Sequence, residues 1–124
     1  MKRDMELVRK LLFAVETHDS SSALENPTID GYDEQTIDHH VFLMWEGGLV
    51  DAIRIDTFQS GADARAAARR LTWAGHDALD ILRSDTVWAK TKGIVAKAGG
   101  ASIQMMIDVA SAVVKEQFGI QQGG

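Results

Sequence analysis

Histidine and carboxylate side chains at helical spacing are the first candidates for chemistry in this sequence. His39 and His40 are adjacent, and adjacent helical side chains diverge by about 100°, so they are poorly placed to share one metal ion. His76 and Asp80 have the i,i+4 spacing of helical metal sites, but two ligands without a third make an incomplete site. We expect His76 to be a polar residue at a helix edge and the protein to hold no metal.

Patterns for nucleophilic or nucleotide-dependent chemistry are also missing. The serines at 20–22 follow His18 and Asp19, yet they fall in a polar loop that offers nothing to orient a triad. The chain contains no phosphate-binding glycine loop, no dinucleotide-binding glycine pattern and no nucleophile elbow. It has no cysteine, which excludes disulfides and thiolate metal sites. We therefore expect neither an enzyme nor a cofactor.

The composition is that of an ordinary globular protein. With 124 residues, 45% of them apolar and 25% charged, the chain can bury the core of one domain. Residues 1–16 are charged throughout and lack the apolar region of a signal peptide, and no apolar run is long enough to span a bilayer. We expect a cytoplasmic protein with no membrane partner.

The net charge of −5 is unevenly distributed along the chain. Residues 1–60 carry −7, residues 61–100 carry +3 and the remainder carries −1. An acidic protein is not attracted to nucleic acid in general, whereas a basic segment can still contact phosphates. The alternative interpretation is a solvated surface that has no ligand.

Apolar periodicity and turn residues predict five helices and a two-stranded hairpin. Spacings of three and four mark the helices, and the alternation of Leu49, Ile53 and Ile55 predicts a half-buried strand. Thr72 and Ser102 are expected to cap the third and the last helix, and Ser84 and Asp85 mark the start of the fourth. The other predicted bounds are helices at 3–17, 33–46, 86–98 and 102–118, strands at 49–58 and 69–72, and a loop or marginal helix at 59–68.

The order of these segments, followed by the pattern LTxxGxxxL at 71–79, resembles a winged-helix domain with a wing at 49–72 and a recognition helix at 33–46. The segments MKRDMELVRKLL, GYDEQTIDHHVFLMWEGGLV and LTWAGHDALDILRSDTVWAKTK resemble domain-of-unknown-function family 2513 of bacteria and phages more specifically. This resemblance covers most of the chain. It implies a winged-helix-like fold, frequent occurrence in prophage and phage genomes, and no established activity.

We therefore expect an α+β fold that is mainly α. A winged helix-turn-helix-like domain with a two-stranded wing would occupy residues 1–84, and a C-terminal helical extension at 85–124 would pack on it as a single structural unit. Trp73 and Trp88 are predicted to be core residues, because aromatic residues at helical spacing usually serve packing.

One functional hypothesis is a small DNA-binding or transcription-associated factor of bacterial or prophage origin. A wing arginine can enter the minor groove, and other cations can follow the phosphate backbone. Fold analogy favours this hypothesis, although analogy of fold does not establish function. The residues expected to contact DNA are Arg65, Arg69 and Arg70 on phosphates, with Gln35 and His39 near the bases.

The alternative is a protein-interaction module, for example a phage-encoded adaptor or inhibitor. The 33–46 helix holds four carboxylates and no Lys or Arg, which opposes contact with a polyanion. Aromatic residues are enriched at binding hot spots, although later helices could instead cover them. The last helix carries more apolar surface than one contact needs, so we expect a homodimer through the terminal helices. The residues expected at protein contacts are Asp38, Phe42, Trp45, Glu46, Met105 and Val109.

Overall fold

The computed structural model describes residues 2–18, 21–25, 27–55, 65–100 and 102–117. Within these residues the fold is α+β and mainly helical, with five helices, one antiparallel two-stranded sheet and a winged-helix-like arrangement, as predicted. The elements are α1 (Met5–Thr17), α2 (Glu34–Glu46), β1 (Val50–Ile55), β2 (Arg65–Leu71), α3 (Trp73–Leu82), α4 (Asp85–Lys97) and α5 (Ile103–Gln117).

The chain divides into two compact units, Met1–His76 and Asp77–Gly124, with the division inside α3. The predicted boundary after residue 84 falls in the turn before α4. The expectation that the two parts of the chain form a single structural unit stays a prediction.

Both helices of the first unit begin at an aspartate. The Asp4 carboxylate accepts hydrogen bonds from the amides of Glu6 (2.9 Å) and Leu7 (3.2 Å), and Asp33 accepts one from the amide of Thr36 (2.8 Å). These bonds satisfy amides that have no partner within the helix. Both helices also bury their apolar face. The buried residues are Leu7, Val8, Arg9, Leu11, Leu12 and Val15 of α1 and Ile37, His40, Val41 and Met44 of α2.

The wing is an antiparallel pair that begins directly after α2. Gly48 ends the helix with a φ of 78°, and the amide of Leu49 then donates to the carbonyl of Met44 (2.9 Å). An isolated bridge joins Leu24 to Ala68, so β2 has neighbours on both edges. This position explains why the three alanines Ala66, Ala67 and Ala68 are all buried.

Two details of the predicted wing are wrong. Leu49, just before β1, is buried as predicted. Within β1 the buried side chains are Val50 and Ala52, whereas Ile53 is 40% exposed, so the strand itself faces the core with the opposite alternation. The second strand begins at Arg65 rather than at residue 69, because its alanines pack in a sheet instead of a loop or helix. The end of the predicted first strand at 56–58 and the part of the predicted loop at 59–64 lie outside the described residues.

The junction between β2 and α3 is closely packed against the end of α2. The Thr72 hydroxyl donates to the carbonyl of Gly48 (2.5 Å) and accepts from the amide of Gly75 (3.0 Å), which confirms Thr72 as a cap. A Cβ on Gly75 would lie 2.0 Å from the carbonyl oxygen of Leu49. Residue 75 must therefore be glycine for this approach.

The second unit contains α4 and α5, which pack on each other. Ser84 caps α4 through the amide of Val87 (3.2 Å), and Ser102 caps α5 through the amide of Met105 (3.2 Å), as predicted. Trp88 is 3% exposed, which confirms its predicted burial. Among the described residues, no helix is both long and apolar enough to cross a membrane.

Candidate protein and nucleic-acid interfaces

Arg65 is held by carboxylates of α2. Its Nε donates to Asp38 Oδ2 (2.8 Å), and its Nη2 lies 3.4 Å from Glu34 Oε1. The Asp38 side chain is 16% exposed, so this bond fixes the first residue of β2 against α2 in a partly buried position. The arginine predicted to contact phosphate is therefore already engaged, and α2 loses part of its negative charge.

Arg69 and Arg70 are both exposed because of an irregularity in the sheet. Asp51 pairs with Arg70 and Ala52 pairs with Ala68, so Arg69 is the extra residue of a β-bulge. Arg70 Nε lies 3.5 Å from Asp51 Oδ2 across the strands. Within the described ranges Arg69 forms no ion pair. Of the three predicted wing cations, Arg69 thus has the least compensated charge.

The outer face of α2 is acidic and aromatic. Gln35 and Glu46 are exposed, while His39 is half-buried. Phe42 and Trp45, also half-buried, contact each other edge to face, with ring centroids 5.9 Å apart and planes at 78°. Gln35, His39, Glu46 and the Phe42–Trp45 pair together offer apolar area beside negative charge, and no Lys or Arg.

Trp73 is the largest departure from prediction. We expected it in the core, but its side chain is 84% exposed. It is the first residue of α3, and the preceding Thr72 is hydrogen-bonded to Gly48 at the end of α2. The close packing of the backbone at this junction turns residue 73 outward. Because tryptophan is enriched at binding hot spots, the exposed Trp73 is a candidate residue for a binding surface.

A buried polar network joins the N-terminus to α2, and the sequence did not predict it. The amide of Asp4 donates to His40 Nε2 (2.8 Å), so the His40 proton is on Nδ1, which donates to the carbonyl of Thr36 (2.8 Å). The Tyr32 hydroxyl donates to Asp4 Oδ2 (2.8 Å). His40 is fully buried and satisfied, so its role is to fix the start of α1 on α2. The signal available was that Asp4, Tyr32 and His40 all lie in segments that carried the family resemblance.

The remaining candidates lie in or near the second unit. Met105 is 47% exposed and Val109 is half-buried, both on α5. His76 and Asp80 are exposed, and Asp80 lies 3.5 Å from Arg83. No group of three or more potential metal ligands occurs among the residues that the structure describes.

Comparison with known proteins places the chain in a family. The family described as "Hypothetical protein (DUF2513)" matches residues 2–101, and the chain belongs to it. An uncharacterised protein of Haemophilus influenzae is 31% identical over 120 residues, which cover 95% of this chain and 99% of that protein. No solved structure matches the chain. The family resemblance of the sequence is thus confirmed, and the family is one of unknown function.

Proposed function

We propose that this protein is a protein-interaction module. Its binding surface, which we call the aromatic face, consists of Phe42, Trp45 and Trp73. The observation that carries the proposal is the 84% exposure of Trp73 beside the turn that ends α2. Tryptophan is enriched at binding hot spots because it provides a large apolar area with few rotatable bonds.

The electrostatics of the same region support a protein ligand. Four carboxylates lie at 33–46, and two of the three wing arginines that were predicted to contact DNA are bound to carboxylates, at 2.8 Å for Arg65 and 3.5 Å for Arg70. A phosphate backbone would meet repulsion from α2 and would have to compete for these arginines. A protein partner with an apolar patch and basic residues at its rim fits better. A phage-encoded adaptor or inhibitor is one form that such a module takes.

Quantitative affinity capture from host-cell extract tests the proposal. Trp73→Ser removes the exposed ring without disturbing the core, so proteins retained by the wild type should be depleted at least about tenfold. Ile53→Ser is the matched control, because it removes an exposed apolar side chain from the wing instead. A partner retained equally by the wild type and Trp73→Ser would contradict the assignment of the aromatic face.

DNA binding is the second candidate function, and the β-bulge favours it. The bulge exposes Arg69 and Arg70 side by side at the base of the wing, where they could contact successive phosphates. In that case Arg69→Ala/Arg70→Ala would weaken binding to all duplex sequences and flatten its dependence on salt. The double variant and the wild type should be compared by fluorescence anisotropy. Equal affinity of the double variant and the wild type for the duplex would show that Arg69 and Arg70 do not contact DNA.

A further inference from the structure

A groove of about 630 Å³ lies between α4 and α5. Its α4 side presents Lys90, Ile94 and Lys97 at i, i+4 and i+7, so these residues share one helix face over two turns. Ile94 is 49% exposed, and Val113 of α5 lines the groove opposite. Gly93 adds no side chain, and a Cβ there would have no atom within 4 Å. The groove therefore offers an apolar centre between two cations.

Both lysines are available for a ligand. Lys90 and Lys97 are exposed, and neither forms an ion pair within the part of the chain that the structure describes. Among the described residues, Glu116 is the one carboxylate that lines the groove, so the lysines outnumber it. An occupant of this groove should carry an apolar side chain flanked by negative charge.

The same chain carries a matching surface on α2. Asp38, Phe42 and Glu46 are spaced at i, i+4 and i+8, which places an aromatic ring between two carboxylates, one helical turn from each. With Phe42 against Ile94, the exposed Glu46 falls beside one of the two lysines for either direction of the helix, whereas the partly buried Asp38 already pairs with Arg65. Although Asp38 is bound to Arg65, residues 33–46 and Arg65 together retain a net charge of −3.

The division of charge between the two units points the same way. Residues 1–76 hold 13 acidic and 8 basic side chains, whereas residues 77–124 hold five of each. All of the net negative charge thus lies in the unit that contains α2, and the groove lies in the neutral unit. Complementary charge favours encounter between unlike surfaces over contact between like ones.

We propose that the groove between α4 and α5 binds the acidic, aromatic face of α2 from a second copy of this chain. This inference rests on the proposed function, because it names one partner for the α2 face. The contact joins two different surfaces, and each copy carries both, so the smallest assembly is a dimer that contains at least one such contact. This contact is not the homodimer that the sequence predicted, because that homodimer would use Met105 and Val109, which do not line the groove.

Analytical ultracentrifugation of the full chain tests this proposal. The wild type should self-associate, with a Kd that rises with salt because charge pairs contribute to the contact. Lys90→Glu/Lys97→Glu should raise the Kd at least about tenfold, and Glu46→Lys should also raise it. Lys115→Glu is the control, since it makes the same charge reversal as each of the two lysine substitutions, but at an exposed α5 residue that does not line the groove. Thermal melts should be unchanged for all these exposed positions.

Mixing the two defective variants distinguishes this contact from any other mode of self-association. The Lys90→Glu/Lys97→Glu chain keeps an intact α2 face, and the Glu46→Lys chain keeps an intact groove. An equimolar mixture should therefore form heterodimers more tightly than either variant self-associates. A wild type that is monomeric at all concentrations, a Kd insensitive to the lysine reversals, or a mixture without heterodimers would each overturn the assignment. Capture of another protein through Trp73 would then still support the proposed function.

Discussion

Tyr32 is the single tyrosine of the chain, so its ionisation can be followed directly. Partial burial, the hydrogen bond to Asp4 and the nearby charges of Asp4 and Glu6 raise the pKa of Tyr32 from 10.0 to about 12. The folded protein therefore holds this proton more tightly than the unfolded chain does. The stabilisation is fully present below pH 10 and is lost as the pH rises toward 12.

Absorbance at 295 nm, which reports tyrosinate, should give a midpoint near pH 12, with circular dichroism recorded in parallel to follow the fold. Asp4→Asn should lower the pKa of Tyr32, because it removes the negative charge while keeping an oxygen that can cap α1. A midpoint near 10 in the folded wild type would show that the Tyr32–Asp4 hydrogen bond does not form in solution.

At the scale of elements, the close approach of α3 to the end of α2 depends on Gly75. Gly75→Ala would force a Cβ against the Leu49 carbonyl, and backbone atoms cannot rotate away as a side chain can. We expect the free energy of unfolding to fall by about 1–3 kcal/mol, as for overpacked sites. Urea denaturation measures this change.

Gly93→Ala is the control for that prediction. It is also a helical glycine-to-alanine change, but its Cβ would enter open space, so it should be neutral or stabilising by up to about 1 kcal/mol. Equal effects of the two substitutions would contradict the account of the junction. The same packing holds Trp73 in its exposed position, so a loosened junction would also disturb the aromatic face.

Local signals in the sequence were sufficient for the helices. Thr72 and Ser102 cap the helices that they were predicted to cap, and Asp33 and Ser84 cap helices that were predicted to begin near them, because capping depends on residues within one turn. The alternation of β1 and the position of Trp73 could not be predicted in this way. Both depend on which elements cover each face, and the bridge to Leu24 and the bulge at Arg69 are contacts between distant residues.

The residues of the candidate surfaces could be selected from the sequence, but the contacts that these residues make could not. Phe42 and Trp45 were selected from the sequence, and the structure adds their edge-to-face contact. That Arg65 pairs with Asp38 was not predictable, since 27 residues separate them along the chain. This pair changes the balance of charge at the wing and, together with the exposure of Trp73, favours a protein partner over DNA.

For the whole molecule, the central claim is that its surface selects protein rather than nucleic acid. Fluorescence anisotropy with a labelled mixed-sequence DNA duplex, titrated with protein from low to moderate salt, tests this claim most directly. The acidic α2 and the engaged Arg65 predict no saturable binding at moderate salt and little binding at low salt. Saturable binding that falls steeply with salt and is lost in Arg69→Ala/Arg70→Ala would contradict the claim and establish the wing as a DNA contact.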